Sequence, residues 1–376
     1  MKTSDLSRCG FHFYVVAIML AGCSNGSQSG FAPSAMTSAQ MLSSTQRTST
    51  RPHTVFMNGS LVHGDMVGRM NHRGFGPNAP FTCNGPCLYV SDLISNEVDV
   101  YKYKAGTVGA EVALLFGFNG PDGICVGRSK IPGPTMGKNL VWIVNNGGSQ
   151  IFGYQYGQNS PTYIVNVFDP DPGYIPVGCS VDPKTGDLAV TDVTSTVGGL
   201  GNVAVFTPSE QAVSNGPPSR SFTAPNIYNY YRLGYDNRGN LWVDGLDSTQ
   251  TTFEFAKCPP GCAEAKPATL NQPITFPGQV QWDNEHEWLE VNNVSNGIAP
   301  SVGYEFTMRG TKGTLAHTTP LKGSGDVGET WQDLKNGKLI AADDGHSEIL
   351  IYNYPAGGEP LQHLGVASAL GVALLP

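Results

Sequence analysis

Arg232, Gln279 and Glu329 break a repeated pattern in this chain, and they are the residues best placed to do chemistry. Each stands four positions ahead of an aspartate, at Asp236, Asp283 and Asp333, and the plainest copy of the pattern has Gly178 ahead of Asp182. A cation, an amide and a carboxylate at equivalent points can bind a small polar ligand or a carbohydrate. Asp122 is a fourth candidate for this set. The same residues can instead form a buried polar plug with Arg232 paired to Glu329, because buried charges are costly unless paired. The recurring aspartates read as turn chemistry, their side chains accepting from backbone N–H groups two residues on.

These positions are set by a strand–turn–strand unit, clearest at 177–192. Its second strand recurs at Leu88–Asp92, Val141–Asn145, Leu188–Asp192, Leu241–Gly245, Trp288–Asn292 and Leu339–Asp343. A third strand follows each, closing on Tyr101, Tyr154, Phe206, Phe255, Phe306 or Tyr352. First strands precede five of the six copies, at Gly123–Val126, Gly178–Val181, Arg232–Tyr235, Gln279–Trp282 and Glu329–Gln332. The missing one appears at the end of the chain, as Leu370–Leu374. The turn aspartates lie 54, 47 and 50 residues apart, a period that suits a four-stranded propeller blade. The expected fold is all-β: a six-bladed β-propeller of four-stranded antiparallel blades, closed by the C-terminal strand pairing in the first blade. Strand alternation puts Arg232, Gln279 and Glu329 on one face of their strands, near the axis.

The pattern Pro-x-Gly-x-x-Val-Asp-x-x-x-Gly-Asn-Leu-x-Val-x-Asp, best seen at 176–192 and then at 234–243, resembles NHL-type repeats and the wider gluconolactonase-like class of six-bladed propellers. The resemblance covers about residues 87–376. It implies a channel-centred site, in which those enzymes hold a divalent cation with Glu, Asn and Asp side chains. Glu329, Asn145, Asn292 and Asp122 would supply that set here. Such enzymes also open with Glu-Gly-Pro-x-Trp, and this chain has only Gly328-Glu329-Thr330-Trp331, in the last full copy. The related streptogramin lyases need a His/Glu set in the channel, whereas His286, His317, His346 and His363 fall in turns or outer positions. Asp343-Asp344-Gly345-His346 lacks the alternating acidic ligands of an EF-hand loop. Asn226–Tyr231 is an aromatic stretch that suits either sugar stacking or blade-edge packing. No Gly-x-Ser-x-Gly elbow, His-Glu-x-x-His pair or phosphate-binding Gly-x-x-x-x-Gly-Lys occurs.

The N-terminus reads as an address. A basic start and the apolar run at 11–21 lead into Leu20-Ala21-Gly22-Cys23, which resembles a bacterial lipobox with Cys23 as the lipidated residue. Residues 1–22 are then a signal peptide, 23–50 a flexible Ser/Thr-rich tether, 51–86 a poorly patterned lead-in and 87–376 the propeller. His63, Met66, Met70 and His72 in the lead-in read as scattered surface residues. The chain carries a net charge of −8. An acidic chain without a basic cluster argues against nucleic acid as a partner.

Of the 8 cysteines, Cys9 leaves with the signal and Cys23 takes the lipid. Cys83 with Cys87, and Cys258 with Cys262, are close pairs suited to local disulfides in an oxidising compartment. Cys125 and Cys179 lie on neighbouring first strands, one register position apart, so a bridge between them stays open.

Together these readings predict a monomeric lipoprotein of the cell envelope, held at the outer membrane or cell surface. Its expected role is to bind a protein, a glycan or a small polar ligand at a channel mouth, with no catalytic residue, metal or cofactor. The alternative is a metal-dependent lactonase-type hydrolase, the only reading that calls for a divalent cation.

Overall fold

The computed structural model describes residues 81–375 apart from 84, 167–173, 196–199 and 296–299. The expected signal peptide, the expected tether with Cys23 and nearly all of the lead-in lie outside the described residues.

The chain folds into six antiparallel four-stranded units, two of which run on into one eight-stranded sheet through a parallel pairing of Thr269 with Lys312. The inner strands are Pro121–Arg128 in blade two, Tyr174–Val181 in blade three, Asn229–Tyr235 in blade four, Pro277–Asp283 in blade five and Val327–Asp333 in blade six. Blade one takes its inner strand from the far end of the chain. Ala369–Leu375 pairs antiparallel with Cys87–Asp92, Leu88 facing Leu374 and Val90 facing Val372. This closure leaves neither end of the ring with an unpaired inner strand. All six expected copies of the second and third strands are present.

The turn aspartates act as expected at three positions. Asp182, Asp236 and Asp283 accept from the main-chain N–H two residues on, at 2.8, 2.8 and 2.7 Å. Asp333 instead accepts from the Tyr103 hydroxyl and the Asn336 amide, at 2.8 and 2.7 Å. Two elements are shifted. The third strand of blade four closes on Cys258 opposite Leu241, three places beyond the Phe255 read from sequence, and blade five differs in its second strand. Leu289 pairs with Phe306 as Leu88 does with Tyr101 and Leu339 with Tyr352. The strand-end residue of blade five is therefore Asn293, one place beyond the position read from sequence. Its Oδ1 accepts from Thr275 N at 2.7 Å, as Asn145 Oδ1 accepts from Asn119 N at 2.6 Å.

Apolar clusters fill most of the boundaries between blades. Tyr89 and Ala373 of blade one pack with Ile143 and Phe152 of blade two, and Trp242 of blade four packs with Leu289 and Val291 of blade five. Three disulfides add covalent ties. Cys83–Cys87 and Cys258–Cys262 are local, and Cys125–Cys179 joins the inner strands of blades two and three. The one-position offset that argued against the last is absorbed between two adjacent strands, whose Cα atoms stand 5.6 Å apart.

A chain ending at Gly365 lacks the inner strand of blade one. It should lose cooperative thermal unfolding, followed by circular dichroism. A truncated protein that melts like the full chain would refute the closure.

Candidate functional site in the central channel

A local irregularity aims the channel residues. The pairing of inner and second strands shifts register between Pro121 and Ile124, between Tyr230 and Leu233, between Pro277 and Val280, and between Val327 and Glu329. Such bulges bend a strand and re-aim side chains. Asp122, Arg232, Gln279 and Glu329 all stand within or at the edge of these shifts.

Three of the four meet. Arg232 Nη2 donates to Asp122 Oδ1 at 2.9 Å, and Arg232 Nη1 stands 3.7 Å from Glu329 Oε2. Nη1 also donates to the Val177 carbonyl, and the Arg232 main-chain N–H donates to Asp244 Oδ1 at 2.7 Å. One side chain from blade four thus reaches blades two, three and six. Glu329 accepts from the Ile124 N–H at 3.2 Å, and Asp122 accepts from the Asn146 amide at 3.4 Å. Gly123 makes room for this, since a Cβ there would stand 2.8 Å from Arg232 Nη1. Gln279 is buried in its own blade and, among the described residues, finds no hydrogen-bond partner for its side chain.

Electrostatics follow from burial. Burial pushes the Asp122 carboxyl up, and the Arg232 guanidinium beside it pulls it back. Burial raises Glu329 to about 8, against the opposing pull of Arg232. Burial works against the Arg232 cation, but Asp122 and then Glu329 outweigh it. Glu329 therefore keeps its proton at neutral pH, and the polar groups of the set are largely satisfied.

The residues of the metal set implied by the family resemblance each have partners within the protein. Arg232 holds both Asp122 and Glu329. Asn145 is committed through Oδ1 to Asn119 N, and Asn292 donates to Thr330 Oγ1 at 3.1 Å. The histidines lie elsewhere: His286 on Asp283, His317 beside Glu305, His346 on Asp343 and His363 on Glu348. Among the described residues, the one group of three acidic or histidine side chains close enough to share an ion is Asp343, His346 and Glu348. The Asp343–His346 contact repeats the Asp283–His286 turn three residues long, so it is turn chemistry first. Tyr230 and Tyr231 are buried, which makes the aromatic stretch blade packing rather than an open stacking surface.

Sequence reasoning missed Asp244, which holds the Arg232 backbone in place. Its signal was present, as an acidic residue where the register puts Ser91, Val144 and Thr191 in other blades.

Neither a protein-family model nor a curated protein matches this chain. Solved structures do. The chain resembles a chain of the nidogen/laminin complex at a TM-score of 0.57 and 10% identity, covering 78% of this chain and 99% of the other. The periplasmic gluconolactonase of Pseudomonas aeruginosa aligns at a TM-score of 0.53 and 13% identity, over 77% of this chain and 99% of that one. A candidate 6-phosphogluconolactonase of Bacteroides fragilis aligns at 0.51 and 10% identity, over 77% and 98%. The fold is that of a β-propeller. At these identities the likeness speaks for the propeller's architecture and leaves its chemistry to the residues just described.

The raised Glu329 carboxyl gives a pH test. Its ordinary value is 4.5, and in the folded protein it holds its proton to about 8 while facing Arg232, Asp122 and the Ile124 N–H. Between those values the folded state binds a proton that the unfolded state has lost. Stability from this group is therefore full below about pH 4.5 and falls as pH rises toward 8, by at most about 1.4 kcal/mol per unit. Glu329→Gln should flatten the denaturant midpoint against pH across that window. An unchanged slope would contradict the assignment.

Proposed function

We propose that this protein is a non-catalytic recognition module, a propeller held at the cell envelope by a lipid on Cys23 and binding a protein or glycan on its surface. The observation that carries this reading is the state of the channel. Its two carboxyl groups are spent on Arg232, which is itself buried and bonded to a main-chain carbonyl. A channel closed by its own charges directs recognition to the faces and rims of the blades. The Ser/Thr-rich tether would give those faces reach from the membrane, and the disulfides suit an oxidising compartment. In this reading Arg232, Asp122 and Glu329 form a structural plug, and Gln279 is the one channel candidate left with an uncommitted side chain.

The lactonase alternative needs Asp122 and Glu329 released from Arg232 to hold a cation, and propeller neighbours with lactonase names are compatible with it through fold alone. Two assays separate the readings. Radiolabelled palmitate should enter the full chain and be lost in Cys23→Ala, with the protein leaving the membrane fraction. The purified protein should hydrolyse δ-gluconolactone at the buffer rate with calcium, manganese or zinc present. Metal-dependent turnover that disappears in Glu329→Gln would overturn the non-catalytic reading.

A further inference from the structure

Blade boundaries in this ring are apolar with one exception. Tyr89, Trp142, Ala189, Trp242 and Ile340 occupy one register point on the second strands of blades one to four and six. Each packs in an apolar cluster with the next blade. In blade five that point is Glu290. Its cross-strand partner is Glu305, where blade six has Ile351 opposite Ile340. Both glutamates are fully buried. Burial pushes both carboxyls up, and Glu290 pushes Glu305 further, so ionising the two opposite each other is costly; a reason for the pair is required.

The seam around them is short of donors. Glu290 accepts from Thr330 Oγ1 at 3.1 Å and from Gln332 Nε2. Thr319 has one hydroxyl proton and two neighbouring acceptors, Glu305 and the Pro355 carbonyl. Glu305 Oε2, Asn292 Oδ1 and Gln332 Oε1 have no hydrogen-bond partner, on residues that are 0, 0 and 6% exposed. His317 Nδ1 stands 3.5 Å from Glu305 Oε2, beyond a good hydrogen bond. Among the described residues no lysine or arginine pairs with either glutamate. Gly303 adds a gap. A Cβ there would stand 3.2 Å from Asn292 Oδ1 and 3.3 Å from Glu290 Oε1, and glycine leaves that space open between the two oxygens.

Three unpartnered buried acceptors, two buried carboxyls and a bare backbone position call for positive charge. The available donors are carboxylate and amide oxygens, the ligands of hard cations, and calcium tolerates the irregular geometry that such a mixed set imposes. We propose that Glu290, Glu305, Asn292 and Gln332 bind a hard divalent cation, calcium by preference, in the seam between blades five and six. The ion would hold the two blades together where apolar packing joins the others. Of the channel candidates only Asn292 takes part in it, and the proposal does not rest on the channel reading.

The test is a calorimetric titration of the full chain with calcium chloride after treatment with a chelator. Thermal melts in calcium, magnesium, zinc or chelator accompany it. Two double variants serve as controls: Glu290→Gln with Glu305→Gln, and Glu290→Ile with Glu305→Ile, which copies the apolar pair of blade six. One calcium should bind per chain and raise the melting midpoint by several degrees. Both double variants should melt cooperatively without responding to calcium. Equal midpoints in calcium and chelator with no binding heat would overturn the proposal. So would a calcium response that survives in either double variant, or a response to zinc without one to calcium. If both double variants fail to fold, the single variant Glu305→Gln should lose the calcium heat that the parent chain shows, and a heat retained there would overturn the proposal.

Discussion

The ring is organised around the Arg232 guanidinium. It leaves blade four and meets a carbonyl of blade three, a carboxylate of blade two and the Glu329 carboxyl of blade six. No other side chain in the channel set reaches so many blades. A buried arginine is tolerable only where its charge is matched and its donors are used, and here bulges in three strands deliver those partners. Removing one partner would leave an uncompensated charge in a closed space. The arrangement therefore makes the channel a fastening point, which is why function is sought on the outside of the ring.

The remaining cohesion is spread differently. Five boundaries between blades rest on apolar clusters, and the boundary of blades two and three adds a disulfide. The boundary of blades five and six is the exception, since blade six packs its apolar face mainly on its own residues, among them Leu321, Val327 and Tyr354. A molecule built from near-equal repeats has little reason to place two acids in one seam unless that seam has a task of its own. The contrast between the seam and its sister boundaries is what gives Glu290 and Glu305 meaning.

Much of this was legible in the sequence, for physical reasons. Period-two apolar runs and turn aspartates fix strand positions strongly, so the blades and the closing strand at 369–375 stand where the pattern put them. The convergence of Arg232, Asp122 and Glu329 followed from repeat breaks on inner strands. Other features were hidden. A β-bulge is weakly marked in sequence, so the aim of the Arg232 guanidinium onto Val177 could not be read. Blade five begins its second strand with an aromatic residue, Trp288, which mimicked the leading apolar position and displaced the register by one. That slip put Asn292 at the strand end and obscured that Glu290 occupies the point filled elsewhere by Tyr89 or Trp142.

In the proposed reading Arg232 ties blades two, three, four and six together and serves no ligand. A double-mutant cycle tests it directly, with Arg232→Met, Asp122→Leu and the pair measured by denaturant unfolding. Each single change should cost about 3–5 kcal/mol, because each strands a buried charge, and the pair should cost far less than the sum of the two. Single variants as stable as the parent, or costs that simply add, would contradict the account.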